Sequence, residues 1–524
     1  MDRREFLKIL GGLPPAVKFG GLSLLSSSAF ASGKTFSDYK AIVVLNLGGG
    51  NDGMNTFIPT EETAHASYFD VRGELGVSLD NLYENEFYQT DGNGYFISNG
   101  AEEQPYYQVD PDDDSDQTNK ALMYVKGSYH IGSGDQKLGI HGLMPEIASL
   151  YEKGVLSVVS NVGTLVKPTT KAEIDSDTAE LPLFLFAHNH QARAVSTAQA
   201  DILGNTGWAG RIADNWQVND AVGLNISFAK TQIMLTGETT SHLSMKPNKL
   251  TSYSGIGDYG ATVSEFGNSL TSTYENTPFQ KLLNQINIQT GNLSSVLTTA
   301  WEQAKDFSTF SAKNPYGEDL FTVSDFEDVL GMQTHHGLRD DLIEQFEAVA
   351  QTIDLGKNVL NFNRQIFYIN SNNYDSHSDQ IESHSRNLRS ISLGVNDFYK
   401  ALEEMNLHEE VLVILTSEFG RTLATNGDGT DHGWGSHSFI LCGDPSFNGG
   451  QIFGEVMTDL ALDGENAYTN KSRIIPTTSI EQMLAPVLDW FGVEESLMTS
   501  ILPNLENFKT TADYDSAFLQ GVFN

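Results

Sequence analysis

The stretch Ile414 to Ser438 reads "ILTSEFGRTLATNGDGTDHGWGSHS". An apolar run stops at an acid, Glu418, and a glycine-rich polar loop follows. Asp431, His432 and His437 then arrive within seven residues, in a chain with only 13 histidines. Carboxylate oxygen and imidazole nitrogen are the donors expected around zinc, manganese or magnesium-like ions at a hydrolytic centre. Two further clusters follow apolar runs elsewhere: Asp52 after "IVVLNLGGGN", and Asp375 with His377 after "IFYINSNNY". Two ions about 4 Å apart can clamp the attacking and leaving oxygens of a phosphoryl displacement.

Each piece taken singly has a plainer reading. Asp52 in a glycine-rich turn fits an Asx-turn, His377 fits a helix-entry cap, and Glu418 fits an ion pair with Arg421. Two histidines and an aspartate in one glycine-rich loop are more telling. The set favours metal chemistry if the fold joins it on one rim. His65, His130, His242, His335, His336 and His408 read as surface residues.

The elements that must do the joining are legible in the apolar pattern. "KAIVVLNLGGGNDG" is a continuous β-branched run, as expected of a central parallel strand between Ala41 and Leu47. "HGLMPEIASLYEKG" predicts a helix of about three turns closed by Gly154. "VLSVVSNVG", "QIFYINS", "EVLVILTSEFG" and "HSFILCGD" predict further strands. Leu342, Ile343, Phe346, Val349, Ala350 and Ile353 recur at helical spacing, as do Leu388, Ile391, Val395, Phe398, Leu402 and Met405. This alternation predicts an α/β fold: a mostly parallel central sheet with helices on both faces, in one domain over 32–524. The crevice of such a sheet lies beyond the carboxyl ends of its strands, where Asp52, Asp375 and Glu418 fall.

Two regions interrupt the pattern. Residues 79–136 are polar and acidic and read as an insertion; Asp110, Asp112 and Asp114 have calcium-loop spacing, but Ser115 and Ala121 break that motif. Residues 215–314 are rich in Ser, Thr, Asn and Gly and read as a variable cap. The formal charge of -37 argues against a nucleic-acid partner, since no basic field is present to displace counterions from phosphate. Cys442 is the single cysteine, so an intrachain disulfide and a cysteine-based zinc site are both excluded.

The first 31 residues carry Arg3 and Arg4, a mildly apolar segment broken by Pro14, Pro15 and Lys18, and an A-x-A pattern at Ala29 and Ala31. This resembles a twin-arginine export signal. It predicts export through the twin-arginine machinery to the periplasm or beyond, cleavage near Ser32, and no stable membrane span afterwards.

"LNLGGGNDGMNTFIP", "GIHGLMPEIASLYEKGVLSVVSNVG", "AHNHQARAVSTAQ" with "GWAGRIAD", "YDSHSDQ", "LTSEFGRT", "GTDHGWGSHSFILCG" and "IPTTSIEQMLAPVLDWFGV" resemble, in this order, the bacterial domain of unknown function 1501 family. They span nearly all of the chain after the signal. That family is similar to the alkaline phosphatase and sulfatase superfamily, which implies an alkaline-phosphatase-like fold and one or two divalent ions, calcium among them. The resemblance implies metal ligands at Asp52, at Asp375 with His377 or Asp379, at Glu418, and at His432 or His437. Phe419 stands where the superfamily has a histidine, so Asp431 or His432 would substitute. Ala187 stands where it has a nucleophile, and neither Thr56 nor Ser196 falls in that place. Water activated by the ion would then attack, with His188 or His190 as general acid, base or ligand.

Two functions of different class follow. One is an exported metal-dependent hydrolase of phosphate or sulfate esters, acting on a small anionic ester with zinc, manganese, magnesium or calcium. The other is a catalytically inactive binding or assembly protein on the same scaffold. A glycan-modifying role rests on fold analogy alone.

Overall fold

The computed structural model describes residues 34–84, 88–97, 106–108, 123–125, 127–216, 218, 223–247, 303–322, 338, 340–469 and 471–524. Its framework is a nine-stranded sheet. The strand order runs Ile452–Phe453, Leu156–Gly163, Ser436–Cys442, Val411–Ser417, Lys40–Leu47, Arg364–Ser371, Asn225–Ser227, Leu243–Ser244, and Thr478–Ser479 also pairs with Leu156–Gly163. Every pairing is parallel except those of Ser436–Cys442, which is antiparallel to both of its neighbours.

Lys40–Leu47 lies between two parallel partners, so both its faces must be apolar. Ala41, Val43, Leu45 and Leu47 enter one core; Ile42 and Val44 enter the other. The first core is roofed by helices Pro145–Glu152, Asp340–Asp354 and Gln380–Glu404 through Ile147, Leu150, Phe346, Val349, Leu388 and Phe398. Phe346 closes onto Gly394, where an added Cβ would stand 2.7 Å from its ring. The second is roofed by Trp208–Trp216 and Ile480–Phe491 through Trp208, Ile212, Leu484 and Leu488. Helices on both faces of a mostly parallel sheet are therefore present, as the strand and helix periodicities predict.

Two expectations need correction. The span 215–314 is not all cap: its described part contributes Asn225–Ser227 and Leu243–Ser244 to the edge of the main sheet. The end of the acidic span joins a second, smaller sheet. Ser128–Ser133 pairs with Gln136–His141, which pairs in turn with Phe57–Pro59, and Tyr129, Ile131, Leu138 and Ile140 enter the first core. His65 is buried rather than surface, with Nε2 2.9 Å from the Val77 carbonyl. The Asp110–Asp114 spacing, His335 and His336 lie outside the described residues. Among the described residues, no helix is long and apolar enough to cross a membrane.

Candidate metal centre

The central strand and its two partners end level, because Leu47 is in register with both Ser371 and Ser417. The turns that follow carry Gly49 and Gly50, then Tyr374 and Asp375, then Glu418 and Phe419. These turns touch. A Cβ on Gly49 would stand 2.4 Å from the Asp375 nitrogen, and one on Gly50 would stand 2.2 Å from the Phe419 ring. Both glycines also have positive φ, 118° and 83°, so no other residue fits either requirement. The hairpin of Arg421–Thr425 and Thr430–His432 and the start of helix His188–Thr197 complete the rim.

Four side chains converge there. His188 Nε2 lies 3.0 Å from His432 Nε2 and 3.4 Å from Asp375 Oδ2. His432 Nε2 lies 3.1 Å from Asp375 Oδ1. His377 Nε2 approaches both His432 Nε2, at 3.0 Å, and Asp375 Oδ1, at 3.1 Å. Ligand atoms of His188, Asp375 and His432 all fall within 4.8 Å of one another. Separations of 3.0–3.4 Å, taken to Asp375 Oδ1 from His432 and to Oδ2 from His188, are close to the edge of roughly 3.3 Å in a tetrahedron with metal–nitrogen bonds of about 2.0–2.1 Å. The donor set thus fits a divalent ion in both type and spacing.

Each member is held from behind. Arg421, fully buried, donates to Asp375 Oδ1 at 2.8 Å, to the Gly49 carbonyl at 3.3 Å and to Thr430 Oγ1 at 3.2 Å. Burial would raise the Asp375 carboxyl, but the Arg421 guanidinium outweighs it and holds the group below the usual range. Burial pushes Glu418 up and His432 down. Glu418 bonds His188 Nδ1 and accepts the Gly49 N–H at 3.1 Å. Asp431 bonds Lys471, which holds its carboxyl down to about 2, and lies 3.5 Å from His377 Nδ1. The Phe419 ring sits 5.0 Å from His188 and 4.9 Å from His432.

Other expected ligands are placed elsewhere. Asp52 is buried, and its two oxygens take the two ends of the Arg72 guanidinium at 2.6 and 2.7 Å. Its carboxylate also accepts from Gln380 and from the Asn55 N–H at 3.3 Å. An acid saturated in this way is an ion-pair member, not an open ligand. His437 is buried on strand Ser436–Cys442, accepting the Asn161 N–H at Nδ1, at 3.2 Å. Glu418 and Asp431 meet the back nitrogens of His188 and His377 rather than the point of convergence. His190 packs its ring 4.1 Å from Phe184. Asp379 precedes the long helix, its N–H donating to Asp428 at 3.1 Å.

Sequence reasoning missed a second polar group behind the rim. Around the Asp52–Arg72 pair lie His141, His384 and His437, all buried, with His384 Nε2 2.9 Å from Asn51 Oδ1. Burial lowers His384 and His437 to about 4 and His141 to about 3, so all three are neutral at pH 7. No spacing rule relates these positions; only the sheet's connectivity does.

The fold and rim define an α/β protein with a histidine–carboxylate cluster beyond the ends of its parallel strands. Residues 344–479 match the family described as "Protein of unknown function (DUF1501)". The matched span holds Asp375, His377, Glu418, Asp431, His432 and His437; His188 and Asp52 lie outside it. No curated protein matches the chain. Among solved structures, weak likenesses include "Crystal structure of Ps i-CgsB", at 10% identity over 70% of this chain and 72% of that one, TM-score 0.28. Another is "Structure of BT1596,a 2-O GAG sulfatase", at 14% identity over 66% of this chain and 65% of that one, TM-score 0.25.

Proposed function

We propose that this protein is an exported, metal-dependent hydrolase of phosphate or sulfate esters, built on an alkaline-phosphatase-like scaffold and using water as nucleophile. The observation that carries the reading is the approach of His188, Asp375 and His432 to within 4.8 Å of one another on an open rim. A bound divalent ion would supply Lewis acidity to the ester oxygen and lower the pKa of a coordinated water to roughly 7.

The chain's own residues supply the rest. Ala187, at the N-cap of helix His188–Thr197, has no hydroxyl, which favours water over a covalent route. His377, 45% exposed, stands beside His432 and Asp375 at the solvent side, suited to moving a proton between the rim and bulk water. Arg421 fixes Asp375 from inside the protein. Arg3, Arg4 and the Ala29–Ala31 pattern support export by the twin-arginine route, to the periplasm or outside the cell.

A second reading, a catalytically silent binding or assembly protein, is favoured by Phe419, whose ring packs on His188 and His432 and offers no donor. One experiment separates the two. The folded chain is purified after export, its metal content is measured, and aryl phosphate and aryl sulfate turnover are assayed with and without chelator. Bound ion with chelator-sensitive turnover supports the hydrolase. Bound ion without turnover supports the silent reading, and no ion at all removes the metal centre from both.

A further inference from the structure

The surroundings of two imidazoles decide where their protons sit. His432 Nδ1 lies 2.9 Å from the Phe186 carbonyl oxygen. A carbonyl only accepts, so Nδ1 carries the hydrogen and Nε2 of the neutral ring keeps a lone pair. Glu418 Oε1 already accepts the Gly49 N–H, and the same oxygen meets His188 Nδ1. That ring therefore donates at Nδ1 as well, and in its neutral form Nε2 is also a lone pair. The two Nε2 atoms face each other at 3.0 Å, and Asp375 presents Oδ1 to one at 3.1 Å and Oδ2 to the other at 3.4 Å. With both rings neutral, none of these three approaches has a hydrogen to share. Facing acceptors repel, and a cation between them reverses the sign.

We infer that His188, His432 and Asp375 are the three protein ligands of a single nitrogen-selective transition-metal site, and that Glu418 and the Phe186 carbonyl are locks on the imidazoles rather than ligands. The inference rests on the metal-centre reading above and deepens it by naming the class of ion and dividing ligands from supports. A metal-bound histidine ordinarily donates its other N–H to a carboxylate or a backbone carbonyl. His188 and His432 use one of each. Phe186 holds φ at 72°, an unusual conformation for a non-glycine residue, and its ring is pinned by Tyr468 at 5.5 Å and the Arg473 guanidinium at 4.5 Å. This backbone carries its carbonyl to His432. Arg421 already donates to Asp375 Oδ1, which leaves Oδ2 as the oxygen turned toward His188.

Two imidazoles and one carboxylate suit zinc, cobalt or nickel. Calcium requires six to eight oxygens and magnesium near-octahedral oxygen, and this rim supplies neither. Three protein ligands also leave a fourth position open, the arrangement of a catalytic rather than a structural zinc site. His377 flanks that opening, its Nε2 3.0 Å from His432 Nε2 and 3.1 Å from Asp375 Oδ1, near enough to occupy the fourth position itself.

The test is a titration of chelator-stripped, refolding-checked protein with cobalt(II), read by its visible absorption, followed by competition with zinc(II) and calcium(II). The expected result is one cobalt per chain with the intense bands of a four-coordinate site, displaced by zinc and not by millimolar calcium. His188→Ala and His432→Ala abolish binding, whereas Glu418→Gln keeps one ion and weakens its affinity about 10–100-fold. His377→Ala keeps one ion. Circular dichroism confirms that each variant is folded, and His188→Gln replaces the alanine variant if that one is not. Loss of the ion in Glu418→Gln with retention in His188→Ala overturns the division of roles while leaving a metal centre. Displacement by calcium overturns the nitrogen-selective assignment. Failure of the wild-type chain to bind any ion overturns this inference and the metal-centre reading together.

Discussion

Replacing Asp52 with asparagine should unfold this protein more readily without emptying its metal centre. The Asp52 carboxylate takes both ends of a guanidinium that is itself wholly buried, and both bonds are short, 2.6 and 2.7 Å. Asparagine is nearly isosteric, so packing is preserved, but Arg72 then keeps a full charge in the interior with no counter-ion. Breaking a buried pair from one side costs about 3–5 kcal/mol, mostly the price of the stranded charge. A domain's whole stability is about 5–15 kcal/mol, so a fifth or more of it is at stake. The assay is urea unfolding at pH 7, with and without chelator, alongside metal analysis of the folded variant. The expected loss is the same in both solutions, and the ion content per folded chain equals that of the wild type. Replacing both partners by Asp52→Leu and Arg72→Met should recover most of the loss, because an apolar pair leaves no charge behind. A loss below about 1 kcal/mol, or an ion missing from a fully folded variant, would refute the assignment of Asp52 to an ion pair.

Three further outcomes follow from the same structure. The buried histidines His384 and His437, lowered to about 4, and His141, lowered to about 3, stay neutral in the folded chain. Below the unfolded value of about 6.5 the unfolded chain binds protons that the folded one does not, so stability falls as pH drops from about 6.5 toward 4, by about 3 kcal/mol per group. Urea midpoints at pH 7, 5.5 and 4.5 check this, and His384→Asn should flatten the slope. Phe346→Ala, at a fully buried ring between the two helices over the first core, should cost about 3–5 kcal/mol in the same unfolding assay. Arg421→Ala should weaken ion binding about 10–100-fold by releasing Asp375, as measured by competition with a chromophoric chelator.

The strands of the central sheet were legible because burial on both faces forces an unbroken apolar run, and Ala41–Leu45, Ile366–Ile369 and Val411–Leu415 are one each. Helix periodicity located Asp340–Asp354 and Gln380–Glu404 for a similar reason: one stripe faces the core. Asp375 and His377 could be picked out because they follow such an element at its carboxyl end, and His432 because it shares one glycine-rich loop with Asp431 and His437. The short strands Asn225–Ser227 and Leu243–Ser244 could not, because three or two residues leave no period to detect. Arg72 was invisible for a different reason. It ends a helix between Asp70 and Glu74, where it looks like any solvated charge, and only the tertiary fold carries it inside to Asp52.

Residue type alone does not separate the two polar groups at this end of the sheet, since both combine histidine, aspartate and arginine. Pairing and exposure do. Behind the rim, Asp52 is closed off by Arg72, Gln380 and the Asn55 N–H, and the surrounding imidazoles are buried. At the rim, Asp375 is 43% exposed and the Nε2 atoms of His188 and His432 face each other at 3.0 Å. A dry cluster with its charges matched has nothing to gain from an incoming ion and no route to receive one. A wet cluster of facing acceptors has both. The placement of one arginine in each group follows from this difference: Arg72 neutralises an acid outright, whereas Arg421 grips one oxygen of Asp375 and leaves the other turned to the opening.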